Sequence, residues 1–600
     1  MALDYFAPGV YVEEVDRGSR PIEGISMSVA GFVGFTEDVR GDAELFKPML
    51  VTNWSQYLEY FAKPGSEHPG FTDFDAYLPF TVKGWFDNGG GRCWVVSIGT
   101  RLPGSAQPMA EESVTKVLTS ARKPSISLSL KAASSSGNGS GNGSGNGALA
   151  LPAATGRLRV RIDDSTPKRL PETPEEDQPF DTGEYFKVTL YQGSEQLGEP
   201  IEHLTMNPQV ATEVGTYVEE ALRESPFLNV LNISQSGQPL SRRPNNGVYE
   251  VAPPPYVGTP ERLPRDLQGA RKDRNGIQGL FEIDEVAMVA CPDLMRLFQE
   301  PLRDANGQAI ADEFGNTQSM LSLDQVHGVM EAMLSLCENA APGPAYRMAV
   351  LDAPPVKPGK GNHPVAPEQQ KPQDVYQWLK DFNRRSMFGA LYYPWIKVAN
   401  PRNGGKPILV PPSGHMMGIW CRTDESRGVF KAPANETPRG VIGVAYETNM
   451  REQEMLNPEG INCIRNFNNY SRGYKVWGAR TLVEKDNIQW RYISVRRLVS
   501  YIEKSIEMGT QWVVFEPNDQ DLWARVTRTV TGFLTRLWRD GALFGASPAE
   551  AFYVKCDGEL NTPETMMLGR LYVEVGVCPV RPAEFVIFRI SQWSPTDNEG

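Results

Sequence analysis

Residues 276–293 read GIQGLFEIDEVAMVACPD, and inside them Val286 to Ala290 form an apolar run closed by Cys291, Pro292 and Asp293. A short apolar run bounded by a proline turn predicts a strand buried on both faces. The next run, AYRMAVLDAPP (345–355), ends at Asp352 with prolines behind it and predicts a second such strand. VYQWLKDFNRRSM (375–387) has helical spacing, and GALYYPWIKV (389–398) reads as a strand carrying three aromatics. Strands alternating with helices predict a mostly parallel sheet with helices packed on it.

The same grammar extends toward the N-terminus. SVAGFVGF (28–35) is an apolar strand, and VYVEEV (10–15) is a strand following Pro8-Gly9. TNWSQYLEYF (52–61) is a short helix that Thr52 or Asn53 can cap. WFDNGGGRCWVVSIG (85–99) contains a helix end, a glycine turn and the buried strand Cys93 to Ile98. After Gly99 the composition changes. SSSGNGSGNGSGNG (134–147) is a low-complexity loop, RLRVRI (157–162) and YFKVTLYQ (185–192) alternate as strands, and EVGTYVEEAL (213–222) is helical. Beyond residue 480, Val495, Leu498, Ile502 and Ile506 lie in phase on a long helix, and WVVFEP (512–517) follows it. A second helix spans about 521–540, and LYVEVGV (571–577) with EFVIFRI (584–590) predicts a closing hairpin.

The predicted fold class is therefore α/β and α+β multidomain: a central mixed sheet flanked by helices, with a smaller α+β domain inserted. The predicted divisions are an N-terminal arm 1–20, core 21–100, insert 101–272, core resumed 273–480, and a C-terminal domain 481–600. With 600 residues and about 150 per domain, four domains or fewer large ones are expected.

Composition narrows the function. Lys plus Arg number 60 against 73 acids, a net charge of −13, which argues against a general nucleic-acid coat. No stretch approaches 18 apolar residues, and the opening MALDYFAPGVYVEEV lacks a basic region followed by an apolar one, so no membrane insertion and no secretory leader are expected. Seven cysteines stand singly, without CxxC spacing, as reduced thiols of a protein made in a cytoplasm.

Chemical motifs are few. The five histidines, at 68, 203, 327, 363 and 415, give no HExxH and no i,i+4 pair, so no metal is expected. NGGKPI (403–408) lacks the Ser or Thr of a P-loop, and the GNG repeats lack the strand and helix of a dinucleotide site, so no cofactor is expected. Ser413, His415 and Asp352 compose a serine-hydrolase triad on paper, without the elbow such a nucleophile needs. The alternative reading makes SGH a turn before a strand Met416 to Cys421. The tryptophans from Trp378 to Trp538 are read as core or interface anchors.

Two features point to assembly. On the 521–540 helix, Leu522, Val526, Val530, Phe533, Leu534 and Leu537 share an apolar arc. Arg525, Arg528, Arg536 and Arg539 fall within about 80° on another side. Such a stripe is either a solvated face or a docking strip for an acidic partner. Terminal strands, meanwhile, leave unpaired backbone groups that a neighbouring copy can satisfy by adding its own strand.

In this order the motifs resemble the contractile tail sheath family of phages and bacterial contractile injection systems. The resemblance lies in APGVYVEEV (7–15), SVAGFVGFTE (28–37), FDNGGGRCWVV (86–96) and, most recognisably, PPSGHMMGIWCRTDESRGVFKAPANE (411–436). It continues through LNPEGINCIR (456–465), YKVWGARTL (474–482), WRYISVRRLVSYIEKSI (490–506) and WVVFEPND (512–519). FLTRLWRDGALFGASPAEAFYVKCD (533–557) and PVRPAEFVIFRISQ (579–592) complete it. Residues 101–272 match only faintly.

The resemblance implies a non-enzymatic subunit that stacks in rings, six to a ring, around an inner tube and contracts to drive that tube through a target envelope. It implies partners: other copies, the inner-tube protein, baseplate and terminator proteins. It implies assembly in a bacterial cytoplasm, in an injection system or, alternatively, a phage tail. Strand exchange is then expected at Val10, Tyr11, Val12 and Val15 and at Phe585, Val586, Ile587, Phe588 and Ile590. The four arginines are the expected tube contact. The readings of another class are the hydrolase above and a static baseplate or surface-array protein.

Overall fold

The computed structural model describes residues 21–102, 115–130, 158–251, 262–467 and 473–589, save 122, 171–172, 175–177, 193–194, 224, 226–227, 236, 305–307, 312–314, 340–344 and 360–362. Its backbone is an eight-stranded sheet. In spatial order the strands are Pro48–Val51, Arg92–Ser97, Val29–Gly34, Met288–Ala290, Met348–Asp352, Gly389–Tyr393, Ile461–Asn466 and Tyr474–Val476. The inner six pair in parallel, and both outermost strands are antiparallel. Every residue of Val29–Gly34, Met348–Asp352 and Gly389–Tyr393 is buried, as a parallel sheet covered on both faces requires. The mixed sheet of the sequence reading is therefore present.

Helices reach this sheet by an unusual capping arrangement. The Tyr77–Asp87 helix has Ala76 at its N-cap, which offers no side-chain acceptor. Buried Asp293 supplies one from another segment, accepting the amides of Phe35 (2.7 Å), Tyr77 (2.6 Å) and Leu78 (3.3 Å). The Ser413–Arg427 helix likewise lacks its own cap and is met by Asp352. Each carboxylate satisfies amides that no carbonyl of its helix can reach.

The two helices then pack directly on each other. Close approach requires glycine: a Cβ at Gly418 would lie 2.7 Å from the Trp85 carbonyl oxygen, and one at Gly414 would strike the Thr81 carbonyl.

Residues of the insert form their own core, with Val160, Ile162, Phe186, Val188, Leu204 and Leu222 among its buried members. A six-stranded sheet and a three-stranded sheet surround it, with the short Val218–Arg223 helix. A third core joins Ile22 to Leu498, Ile502, Val526, Val530, Phe533, Leu534, Leu543 and Phe552. It sits between the helices Ile493–Gly509 and Gln520–Arg539 and the two-stranded sheet of Phe552–Lys555 and Glu574–Val577.

Four local readings are corrected. Met416 to Cys421 is helix: Ser413–Cys421 is buried without a break, so its apolar run carries no period that tells helix from strand. GALYYPWIKV breaks at Pro394 into Gly389–Tyr393 and Ile396–Ala399, which join different sheets. The 213–222 helix starts only at Val218, after a short strand at Thr216–Tyr217. The closing hairpin does not form: Glu574–Val577 pairs with Phe552–Lys555, and 581–589 has no strand partner among the described residues.

Candidate functional site

Ser413, His415 and Asp352 come close in the chain's fold but not as a triad. The Ser413 hydroxyl donates to Asp352 (2.7 Å), whose other oxygen accepts the Ser413 amide (2.9 Å). The Ser413 hydroxyl is directed at a helix-capping carboxylate and not at an imidazole, so the serine–histidine pair of a triad is not assembled. His415, on the same helix, turns against Gly84, and its Nδ1 has no partner among the described residues. All three side chains are buried. Burial, with Lys83 adding to it, holds the imidazole down at about 4, and burial raises the Asp352 carboxyl to about 7. The alternative hydrolase reading finds no assembled triad here: Asp352 caps a helix and His415 packs against Gly84.

The Gln520–Arg539 helix opens at Asp519, whose side chain accepts the Leu522 amide at 2.8 Å. Leu522, Trp523, Val526, Val530, Phe533 and Leu534 are buried, while all four arginines are on the exposed side. The stripe is not uniform. Arg525 lies 3.0 Å from Glu516 and 5.4 Å from the centre of the Trp512 ring, and Arg536 donates to the Ile22 carbonyl. Arg528 and Arg539 make no ion pair or hydrogen bond among the described residues. Beside Arg528 runs a shallow, mainly apolar groove between this helix and residues 556–558.

Val10, Tyr11, Val12 and Val15 lie outside the described residues, and so does Ile590. The root of the N-terminal arm is held firmly. Ile22 is 1% exposed in the C-terminal core. The Ile25 amide donates to Ser505 (3.2 Å), and Ser28 donates to Asp424 (3.3 Å). Arg497 spans the junction: it is paired bidentately with Asp424, donates to the Met27 carbonyl (3.1 Å) and stacks over Trp420 (5.1 Å).

At the other end, Phe585, Val586, Ile587 and Phe588 are 71%, 70%, 81% and 83% exposed in succession. Four bare apolar residues in a row form an exposed patch of the kind that marks an interaction site. Just before them, Glu584 is fastened to Arg480, Tyr492 and Asn457. Sequence reasoning missed Glu584 and the Arg497–Asp424 pair, since each joins residues far apart in the chain. The one local signal was a single acid opening the apolar run EFVIF.

No helix among the described residues is long and apolar enough to cross a membrane, and no group of three His, Cys, Asp or Glu there could hold a metal ion.

Residues 375–482 match the model of the phage tail sheath protein central domain, and residues 485–592 that of the phage tail sheath C-terminal domain. The tail sheath protein of Burkholderia phage BcepMu is 30% identical over 200 residues, which covers 32% of this chain and 40% of that relative's length. Two sheaths solved by cryo-electron microscopy in the contracted state share the fold over nearly the whole chain. The PVC sheath complex of an extracellular contractile injection system gives a TM-score of 0.50 at 19% identity, covering 98% of this chain and 99% of that one. The helical sheath of the anti-feeding prophage gives 0.50 at 20% identity, again covering 98% and 99%.

Proposed function

From the central and C-terminal domains of the phage tail sheath family that the chain carries over residues 375–482 and 485–592, we propose that it is the structural subunit of a contractile sheath. Copies stack in six-membered rings around an inner tube and shorten to drive the tube through a target envelope. The observation that carries this reading is the exposed apolar segment Phe585–Phe588, which has no partner within its own chain among the described residues. A two-stranded sheet such as Phe552–Lys555 with Glu574–Val577 is marginal alone and leaves edges open to added strands. Exchange of terminal strands between copies answers both needs, with each interchain hydrogen bond adding about 0.5–1.5 kcal/mol. Repeated from ring to ring without closing, such a contact gives a helical array of stacked rings.

Motion comes from two packings of one chain, the contracted one lower in free energy. The arginines of the Gln520–Arg539 helix, Arg528 and Arg539 foremost, form the tube-facing strip. The setting is a bacterial contractile injection system, assembled in the cytoplasm, with baseplate and terminator proteins at the ends. A phage tail is the second reading, supported by the 30% identity with a phage tail sheath over 200 residues. Negative-stain electron microscopy of the chain expressed alone tests the proposal. Long hollow tubes with a helical surface are the expected result. Monomers that stay monomeric even with the inner-tube protein would overturn it.

A further inference from the structure

The C-terminal tail has two anchors and then none. The Cys578 amide bonds to the Ala551 carbonyl (2.8 Å) and the Val580 amide to the Ala542 carbonyl (3.1 Å), which seats the chain on the C-terminal core. Four residues later, Glu584 meets Arg480 Nη2 at 2.6 Å and Nε at 2.9 Å, the Tyr492 hydroxyl at 2.9 Å and Asn457 Nδ2 at 2.7 Å. Both Arg480 (8% exposed) and Glu584 (19%) are largely covered. Asn457 and Arg480 belong to the central-domain match, Tyr492 and Glu584 to the C-terminal one. Beyond Glu584, residues 585–589 make no hydrogen bond among the described residues.

The next stretch poses a problem of register. Phe585-Val586-Ile587-Phe588 has no apolar–polar alternation, so a slip of one or two residues against a partner strand costs little in side-chain burial. Something outside the strand must fix its start. We propose that Glu584 is a positioning residue. Its carboxylate clamps the tail to the junction of the two domains, and so fixes where and in which register the Phe585–Phe588 strand is offered to a second copy. This role rests on the sheath reading above.

The test compares the full-length wild type with Glu584→Gln and Tyr492→Phe. In unassembled protein, chymotryptic cleavage at Phe585 and Phe588 should be about tenfold faster in Glu584→Gln, with a smaller increase in Tyr492→Phe. Tubes of Glu584→Gln should be short, with an irregular helical lattice by electron microscopy. Should Glu584→Gln fail to fold, Tyr492→Phe, which removes one hydroxyl, carries the comparison by itself. Wild-type cleavage rates, or variant tubes as long and ordered as wild type, would overturn the clamp while leaving the sheath reading intact. A wild type that builds no tubes under any condition would overturn both.

Discussion

Not all arginines of this chain act alike, and burial decides which matter to the fold. Arg497 and Asp424 are 1% and 7% exposed at the side chain and bind each other through two oxygens. Arg497→Met would leave Asp424 as a buried, unpaired charge, a loss of about 3–5 kcal/mol. Urea unfolding should show it, and adding Asp424→Leu should restore part of the loss. Arg528→Met on the exposed helix face should change stability by about 0.5 kcal/mol or less. Equal effects of the two would refute the assignment. Asp352 gives a pH signature. Burial lifts its carboxyl from 3.8 to about 7, against two hydrogen bonds from Ser413. A folded value above the unfolded one means stability that is full below about pH 4 and lost as pH rises through 7. The stability of wild type relative to Asp352→Asn should therefore fall between pH 4 and 7, by up to about 1.4 kcal/mol per pH unit. Asp293, also raised by burial to about 6, keeps its own slope in both proteins. A relative stability that rises with pH would mean that Ser413 holds the carboxylate ionised.

Helices are legible where one face is wet and illegible where none is. The Gln520–Arg539 and Ile493–Gly509 helices each set an apolar stripe against a polar side, and the 3.6-residue period exposed both. The Ser413–Arg427 helix is buried without a break over Ser413–Cys421, so MMGIWC carries no period and reads as a strand. Its true contact, through Gly414 and Gly418 onto the Tyr77–Asp87 helix, lies in two glycines whose purpose appears only in three dimensions. The capping carboxylates were hidden for the same reason, since Asp293 serves a helix that begins more than 200 residues earlier. The arginine stripe was visible as a pattern, yet its division was not. Arg536 supports the Ile22 segment, so substituting all four would mix folding with docking. The clean variant is Arg528→Glu with Arg539→Glu. It should unfold at the wild-type urea concentration and build contracted tubes alone, but fail to assemble in extended form on the inner tube. Normal extended particles would show that this face does not meet the tube.

Across the whole molecule the strand order was beyond sequence reasoning, because nothing local says that Val29–Gly34 lies between Arg92–Ser97 and Met288–Ala290. The first described residues are not a loose tail: Ile22 sits in the C-terminal core, Arg536 and Arg497 each donate to a carbonyl of this root, and Ser505 receives the Ile25 amide. Those bonds tie the root to helices 470 to 514 residues away in sequence, so the root belongs to the fold. A truncation removing residues 1–20 separates the root from the arm before it. It spares each of these bonds, and the truncated chain should unfold at the wild-type urea concentration as a monomer. If copies are joined by exchanged terminal strands, that monomer still offers Phe585–Phe588 but has no N-terminal strand to give, so growth should stop at short oligomers. Mixed with wild type, it should cap tubes and shorten them in proportion to its fraction. Long tubes from the truncated chain alone would remove the N-terminal arm from the joint and leave the C-terminal strand to carry the connection.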